Sequence, residues 1–156
     1  MDAEAFLARV REYHEAGWRL SIINVTTVMP GVAPAHGAHG AGAAPAEPTT
    51  ESVVEVSAPD AAGVFEIAWG FARDGSFQAI REQIVAGDPV PSISEFFGAA
   101  FLYENEIREL FGINIVGIAV DLRGQLYKTA TKVPFSHAAV KARLAALAAA
   151  APVKRS

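Results

Sequence analysis

Apolar residues recur at helical spacing from the start of the chain, with Phe6, Val10 and Tyr13 on one face beside Leu7 and His14. With Asp2 ahead of them as an N-cap, the pattern predicts a first helix over 2–15, closed by Gly17. The period then shortens. RLSIINVTTVM (19–29) alternates and is rich in β-branched residues, which predicts a strand. GVAPAHGAHGAGAAPAEPT (31–49) has no period and little to bury, and reads as a mobile Gly/Ala/Pro-rich insertion. Strands are predicted again over ESVVEVSAP (51–59) and VFEIAWGFAR (64–73). Asp74-Gly75 is a hairpin signal, so SFQAIREQIVA (76–86), whose pattern suits helix or strand, is assigned as the returning strand that ends before Asp88-Pro89.

A second helix starts where Ser92 and Glu95 stand at capping-box spacing and ends at Gly112, with Ile113 placed for the apolar contact past the cap. At about 100° per residue, Ile93, Phe96, Phe97, Ala100, Tyr103, Ile107, Leu110 and Phe111 gather in one arc. Glu104 falls inside that arc and Glu106 at its far edge, while Asn105 and Glu109 point away. INIVGIAVDL (113–122) is extended and Arg123-Gly124 turns the chain. An Ala-rich helix then begins at Ser136, with Val140, Leu144 and Leu147 along one side. This order predicts an α+β fold: a mostly antiparallel sheet with helices packed on one face, an extended C-terminal segment and a terminal helix. The domain covers 1–135, with 31–49 inserted, and the terminal helix 136–156.

A carboxylate on an apolar face needs a partner. Either Arg108, four residues on, pairs with Glu104 near the rim, or the face meets another protein that supplies a fixed donor. On the second reading, Glu104→Ala leaves the domain folded and weakens assembly. Glu104 and Glu106 do not form a catalytic acid/base pair, because residues two apart on a helix point about 200° away from each other. His36 and His39 make an H-x-x-H in the loop with no third ligand nearby, a weak metal motif. His14 and His137 stand alone. The glycines of 37–42 lack the strand–turn–helix context of a phosphate cradle, and no Ser or Lys nucleophile comes with a partner base. The phenylalanines read as core first and interface second.

Charge and composition remove further classes. The net charge of −4, with basic residues scattered except for Lys154-Arg155, argues against nucleic acid. Without cysteine there is no disulfide, thiolate metal site or iron–sulfur ligation. Leu20–Ala46 carries no charge, but Pro30, Pro34, Pro45 and four glycines break it and its apolar content is mostly alanine, so it is not read as a membrane span. MDAEAF lacks the basic n-region of a signal peptide. The 156 residues suffice for one domain with a real core.

VPSISEFFGAAFLYENEIRELFGI resembles the signature of the thirty-kilodalton subunit family of respiratory complex I. The resemblance rests on Pro91-Ser92, on Glu104 and Glu106, on Glu109 in the place of an Asp, and on Phe111-Gly112-Ile113. Asp121-Leu122-Arg123 is similar to the family's Asp-Leu-Arg element, and the likeness is good from about residue 63 to 135. Three features depart from it. Asn105 stands where complex I subunits carry Arg, the stretch before Asp121 lacks Gly-His-Pro, and the chain stops soon after Lys132-Val133-Pro134-Phe135. Glu104-Asn105-Glu106, Tyr127 and the Lys132-x-Pro134-Phe135 ending look more like the short homologues in energy-converting, membrane-bound nickel–iron hydrogenases of ferredoxin-linked or carbon-monoxide-induced type.

The resemblance implies a subunit without catalytic, cofactor or metal site of its own, held peripherally on the cytoplasmic side of the membrane. It implies packing against the large hydrogenase subunit, or its complex I homologue, and a small iron–sulfur subunit. Nickel–iron and iron–sulfur centres, or FMN, iron–sulfur clusters and quinone, then lie in the partners. The expected interface comprises the residues quoted above, from Pro91 and Ser92 through Arg108 to Arg123, Pro134 and Phe135. The alternatives are the equivalent subunit of an NADH:quinone oxidoreductase and a free-standing binding module whose site is the loop at 31–49.

Overall fold

The computed structural model describes residues 1–28 and 63–150. Along them run α1 (Ala3–Glu15), β1 (Arg19–Val28), β2 (Val64–Arg73), β3 (Ser76–Val85), β4 (Pro89–Pro91), α2 (Ala100–Phe111), β5 (Asn114–Val116) and α3 (His137–Ala150). The expected loop at 31–49, with His36 and His39, and the expected strand at 51–59 lie outside the described residues.

Asp2 caps α1 as its sequence position predicts: Oδ1 accepts from the N–H groups of Glu4 (3.1 Å) and Ala5 (3.3 Å). Phe6 and Val10 are the buried side of the helix. β1, β2 and β3 form an antiparallel sheet in that order. Asp74 (φ 48°) and Gly75 (φ 78°) both sit in the left-handed region, which a two-residue hairpin turn uses to match strand twist. The tight turn pins the register, so Trp69 lies between Ile23 and Ile80, and Phe65 between Thr27 and Ile84. Phe65, Ile67, Trp69 and Phe71 therefore share one face of β2, and all are buried.

Helices α1 and α2 cover that face. The Phe6 ring lies 4.6 Å from Trp69, Tyr13 stacks on Phe71 at 4.5 Å, and Phe111 of α2 meets Phe65 edge-on at 6.2 Å. The α+β reading with helices on one face of an antiparallel sheet holds.

Two features differ from the sequence expectation. The second helix starts at Ala100, not at Ser92. Residues 92–99 form turns closed by hydrogen bonds such as Phe97 N–H to the Ile93 carbonyl (2.9 Å), and Ser92 does not cap the helix. The part expected to be one extended piece instead contributes β5, which pairs in parallel with β4, Val90 opposite Ile115. Both of those side chains are buried, and Ser92 N–H continues the pairing to the Val116 carbonyl at 2.8 Å. The far end of α2 is as expected: Gly112 (φ 76°) donates to the Arg108 carbonyl at 3.1 Å, and Ile113 is buried behind it.

Candidate functional site

Glu104 is buried, 2 % exposed, yet its partners come from neither of the expected sources. Oε2 accepts from the Ser92 hydroxyl at 2.6 Å and Oε1 from the Ile93 N–H at 2.7 Å. Ser92 Oγ lies 2.6 Å from Ser94 Oγ, which accepts the Ala119 N–H at 2.8 Å. Arg108 does not pair with Glu104, and no partner protein is needed to satisfy it. The carboxylate fastens the segment entering α2, and through two serines the segment leaving it. Ser92 Oγ also accepts the Ser94 N–H at 3.1 Å, eight residues ahead of the helix it was expected to cap. Burial pushes the Glu104 carboxyl pKa above its ordinary value, against the hydrogen bonds from Ser92, Ile93 and Ser94.

Asn105, expected to face solvent, is also 2 % exposed. Its amide donates to the Phe101 carbonyl (2.7 Å) and the Val120 carbonyl (2.8 Å). Its oxygen accepts from Leu122 N–H (2.9 Å) and Arg108 Nη2 (3.2 Å). All four hydrogen-bonding positions of a primary amide are filled. Arg108 turns to Asp121 instead of Glu104: both guanidinium NH₂ groups donate to its carboxylate, Nη1 at 3.1 Å. That contact holds Asp121 down at about 2, with help from the Arg123 N–H at 2.6 Å, and raises Arg108 above its usual value. Arg123 (φ 55°) and Gly124 (φ 71°) then turn the chain, as the sequence predicts.

The remaining signature residues grip the segment beyond the turn. Glu109, expected to point away, uses both oxygens to accept backbone N–H groups of Leu126 (2.9 Å) and Tyr127 (3.0 Å). Glu106 accepts from the Tyr127 hydroxyl at 3.2 Å, and its negative charge raises the phenol's pKa. After Pro134, Phe135 donates its N–H to the Leu110 carbonyl (2.9 Å) and sets its ring 5.3 Å from Phe111. Gly112 is required by more than its backbone angle, because a Cβ there would come within 3.1 Å of Val133 Cγ1. Pro91 ends β4 opposite Val116.

The structure thus brings the whole quoted set together around one helix. α2 is a spine whose polar side chains hold residues 92–94 on one side and 119–127 on the other, while the Leu110 carbonyl and the Phe111 ring hold Phe135. Ser94 and Leu122 join them; the repeat Ser92-x-Ser94 was the available signal for the first. Among the side chains this arrangement exposes are several large apolar or aromatic ones: Val116, Val120, Tyr127 and Phe135 are each between 42 and 51 % exposed. Every signature carboxylate accepts from a donor of the same chain. No trio of His, Asp or Glu suited to a metal occurs among the described residues. A shallow depression of about 270 Å³ lies elsewhere, lined by Arg9, Glu12, Tyr13, Ala16, Trp18 and Gln78, and includes no signature residue.

The family described as respiratory-chain NADH dehydrogenase, 30 kDa subunit, matches residues 43–139, more than half of the chain. The chain belongs to this family. As a 30 kDa-family protein it is a subunit of a multisubunit oxidoreductase complex of the NADH dehydrogenase/hydrogenase type. The match begins earlier than the stretch 63–135 on which the resemblance rested, and leaves out α1 and β1. No curated protein matches the chain. No helix among the described residues is long and apolar enough to cross a membrane.

Proposed function

We propose that this chain is a non-catalytic structural subunit in the cytoplasmic arm of an energy-converting nickel–iron hydrogenase, where it supports electron transfer to the large subunit. The observation that carries the structural role is the internal use of Glu104, Glu106, Glu109 and Asp121, each accepting from the chain's own groups. A signature spent on shaping a surface suits a partner-binding subunit, and the exposed Val116, Val120, Tyr127 and Phe135 suit the contact itself. Asn105 favours the hydrogenase type. Its place is fully buried and its four bonds are filled, so the arginine typical of complex I has no room there without moving residues 119–122.

On this reading the partners are the large catalytic subunit and a small iron–sulfur subunit. The nickel–iron and iron–sulfur centres belong to them, and the chain sits peripherally at the cytoplasmic side of the membrane. The second reading, which the family name itself favours, is the equivalent subunit of an NADH:quinone oxidoreductase, with FMN, iron–sulfur clusters and quinone in the partners. Gentle detergent extraction of native membranes, capture on this chain and mass spectrometry separate the two. The hydrogenase reading expects co-recovery of a nickel-containing large subunit with H₂-linked activity. Flavin- and NADH-binding subunits without nickel would overturn it in favour of the second.

A further inference from the structure

Helix α3 is apolar apart from His137, Lys141 and Arg143, and it packs little against the other described residues. Eleven of its fourteen residues are Ala, Val or Leu. Its start is anchored: Ser136 Oγ accepts the Ala139 N–H at 3.3 Å, and Gly63, lacking a Cβ, leaves room for the His137 ring. From Lys141 to Ala149 every residue is exposed, with Leu144 at 49 % and Leu147 at 61 %. A helix with so few polar side chains is normally largely buried, and fourteen residues are marginal as a helix in water.

Charge supplies the second observation. Residues 1–121 carry all seventeen acidic side chains and six basic ones, while residues 122–156 carry seven basic and no acidic side chains. Arg123, Lys128, Lys132, Lys141 and Arg143, five of those seven, are all exposed. The net charge of −4 therefore hides a strongly acidic body and a wholly basic C-terminal part. On the helix, Lys141 and Arg143 flank the stripe of Val140, Leu144 and Leu147 on either side.

We infer that α3 and the basic segment leading to it dock into an acidic groove on a neighbouring protein subunit, with Leu144 and Leu147 as anchors and the cations fixing register. This rests on the reading of the chain as a subunit of a larger complex. A protein groove fits better than a lipid surface, because interfacial helices have one strongly apolar face and an opposite polar one, whereas α3 is lined with alanine on the side away from the leucines. Small side chains there let two neighbouring backbones approach closely. The helix lies almost wholly beyond the family match, which ends at residue 139, so the contact is an addition to the family's common part.

Carbodiimide treatment of the detergent-solubilised native complex, which joins Lys amines directly to carboxylates, tests this. The expected result is an amide between Lys141 and an Asp or Glu of another subunit, found by mass spectrometry and absent in Lys141→Ala. The double variant Leu144→Asp/Leu147→Asp is expected to retain the partner subunits at least about tenfold less at physiological salt. Its isolated chain should melt at the wild-type temperature, which excludes misfolding. Wild type and double variant retained equally, or Lys141 joined only to its own chain, would overturn the inference alone. A wild-type chain recovered with no subunits at all would overturn the subunit reading and this inference with it. So would a tail that binds anionic phosphatidylserine vesicles but no protein.

Discussion

Glu104→Ala is expected to destabilise the isolated chain by about 3 kcal/mol, and to do so without any partner present. The substitution strips the buried Ile93 N–H and the Ser92 hydroxyl of their acceptor and opens a hole under residues 92–94. For a chain of this size the melting temperature should fall by roughly 10 °C. Glu104→Gln is the informative contrast. Its amide oxygen can accept from Ile93 and its NH₂ can donate to Ser92 Oγ, which then donates to Ser94. The two variants also differ in pH behaviour. Because burial raises the folded-state pKa of Glu104 above its unfolded value, the stability this group contributes is fully present below about pH 4.5 and is lost as pH rises through the folded pKa. The stability difference between wild type and Glu104→Gln should therefore decline with rising pH across the weakly acidic range. Denaturant titrations at several pH values measure both effects. A Glu104→Ala chain as stable as wild type would return the carboxylate to a partner-facing role.

Asn105→Ala is expected to cost about 2–3 kcal/mol, with its damage concentrated on one segment. It leaves the Val120 carbonyl and the Leu122 N–H without their partner and takes a bond from Arg108. Because Arg108 is then held only by Asp121, an exposed contact of small value, residues 119–122 should loosen while the sheet stays formed. Circular dichroism should keep its strand signal, and limited proteolysis should show new cleavage at 119–124. Cleavage confined to β2 or β3, or a loss only of the sheet, would contradict this placement of Asn105.

Why these two residues escaped the sequence is physical. A helical wheel ranks positions by their apolar neighbours, and Asn105 falls well outside the apolar arc, which reads as solvent-facing. Its burial depends on Val120 and Leu122, fifteen and seventeen residues away, which periodicity cannot see. Glu104 was correctly placed on the inner side, but its donors are a backbone N–H and a serine from the preceding turn. The capping-box spacing of Ser92 and Glu95 is real as a pattern, but turns fill 92–99 before the helix starts. The only backbone N–H that Ser92 Oγ accepts is that of nearby Ser94, while its hydroxyl donates to Glu104. The β4–β5 pair is three residues on each side, too short to carry an alternation. By contrast, Asp2, Asp74-Gly75 and Gly112 announce local conformations through their own chemistry, and each forms the cap or turn expected of it. The fold was legible where the signals are local. The family signature was legible as a pattern, and its use inside the chain was not. Total charge misled in a similar way, because −4 averages an acidic body and a basic tail.

Amide hydrogen exchange on the wild-type chain alone tests most directly whether the signature builds the surface it carries. The decisive amides are those of Ile93, Ala119, Leu122, Leu126 and Tyr127, each donating to a side chain of the α2 spine or its serine relay. They should be protected nearly as well as the amides within α2, although all five lie outside regular helix or strand. If those five exchange at the rate of an unstructured peptide while α2 and β2 stay protected, the spine does not hold its flanking segments, and the signature must find its partners in another protein.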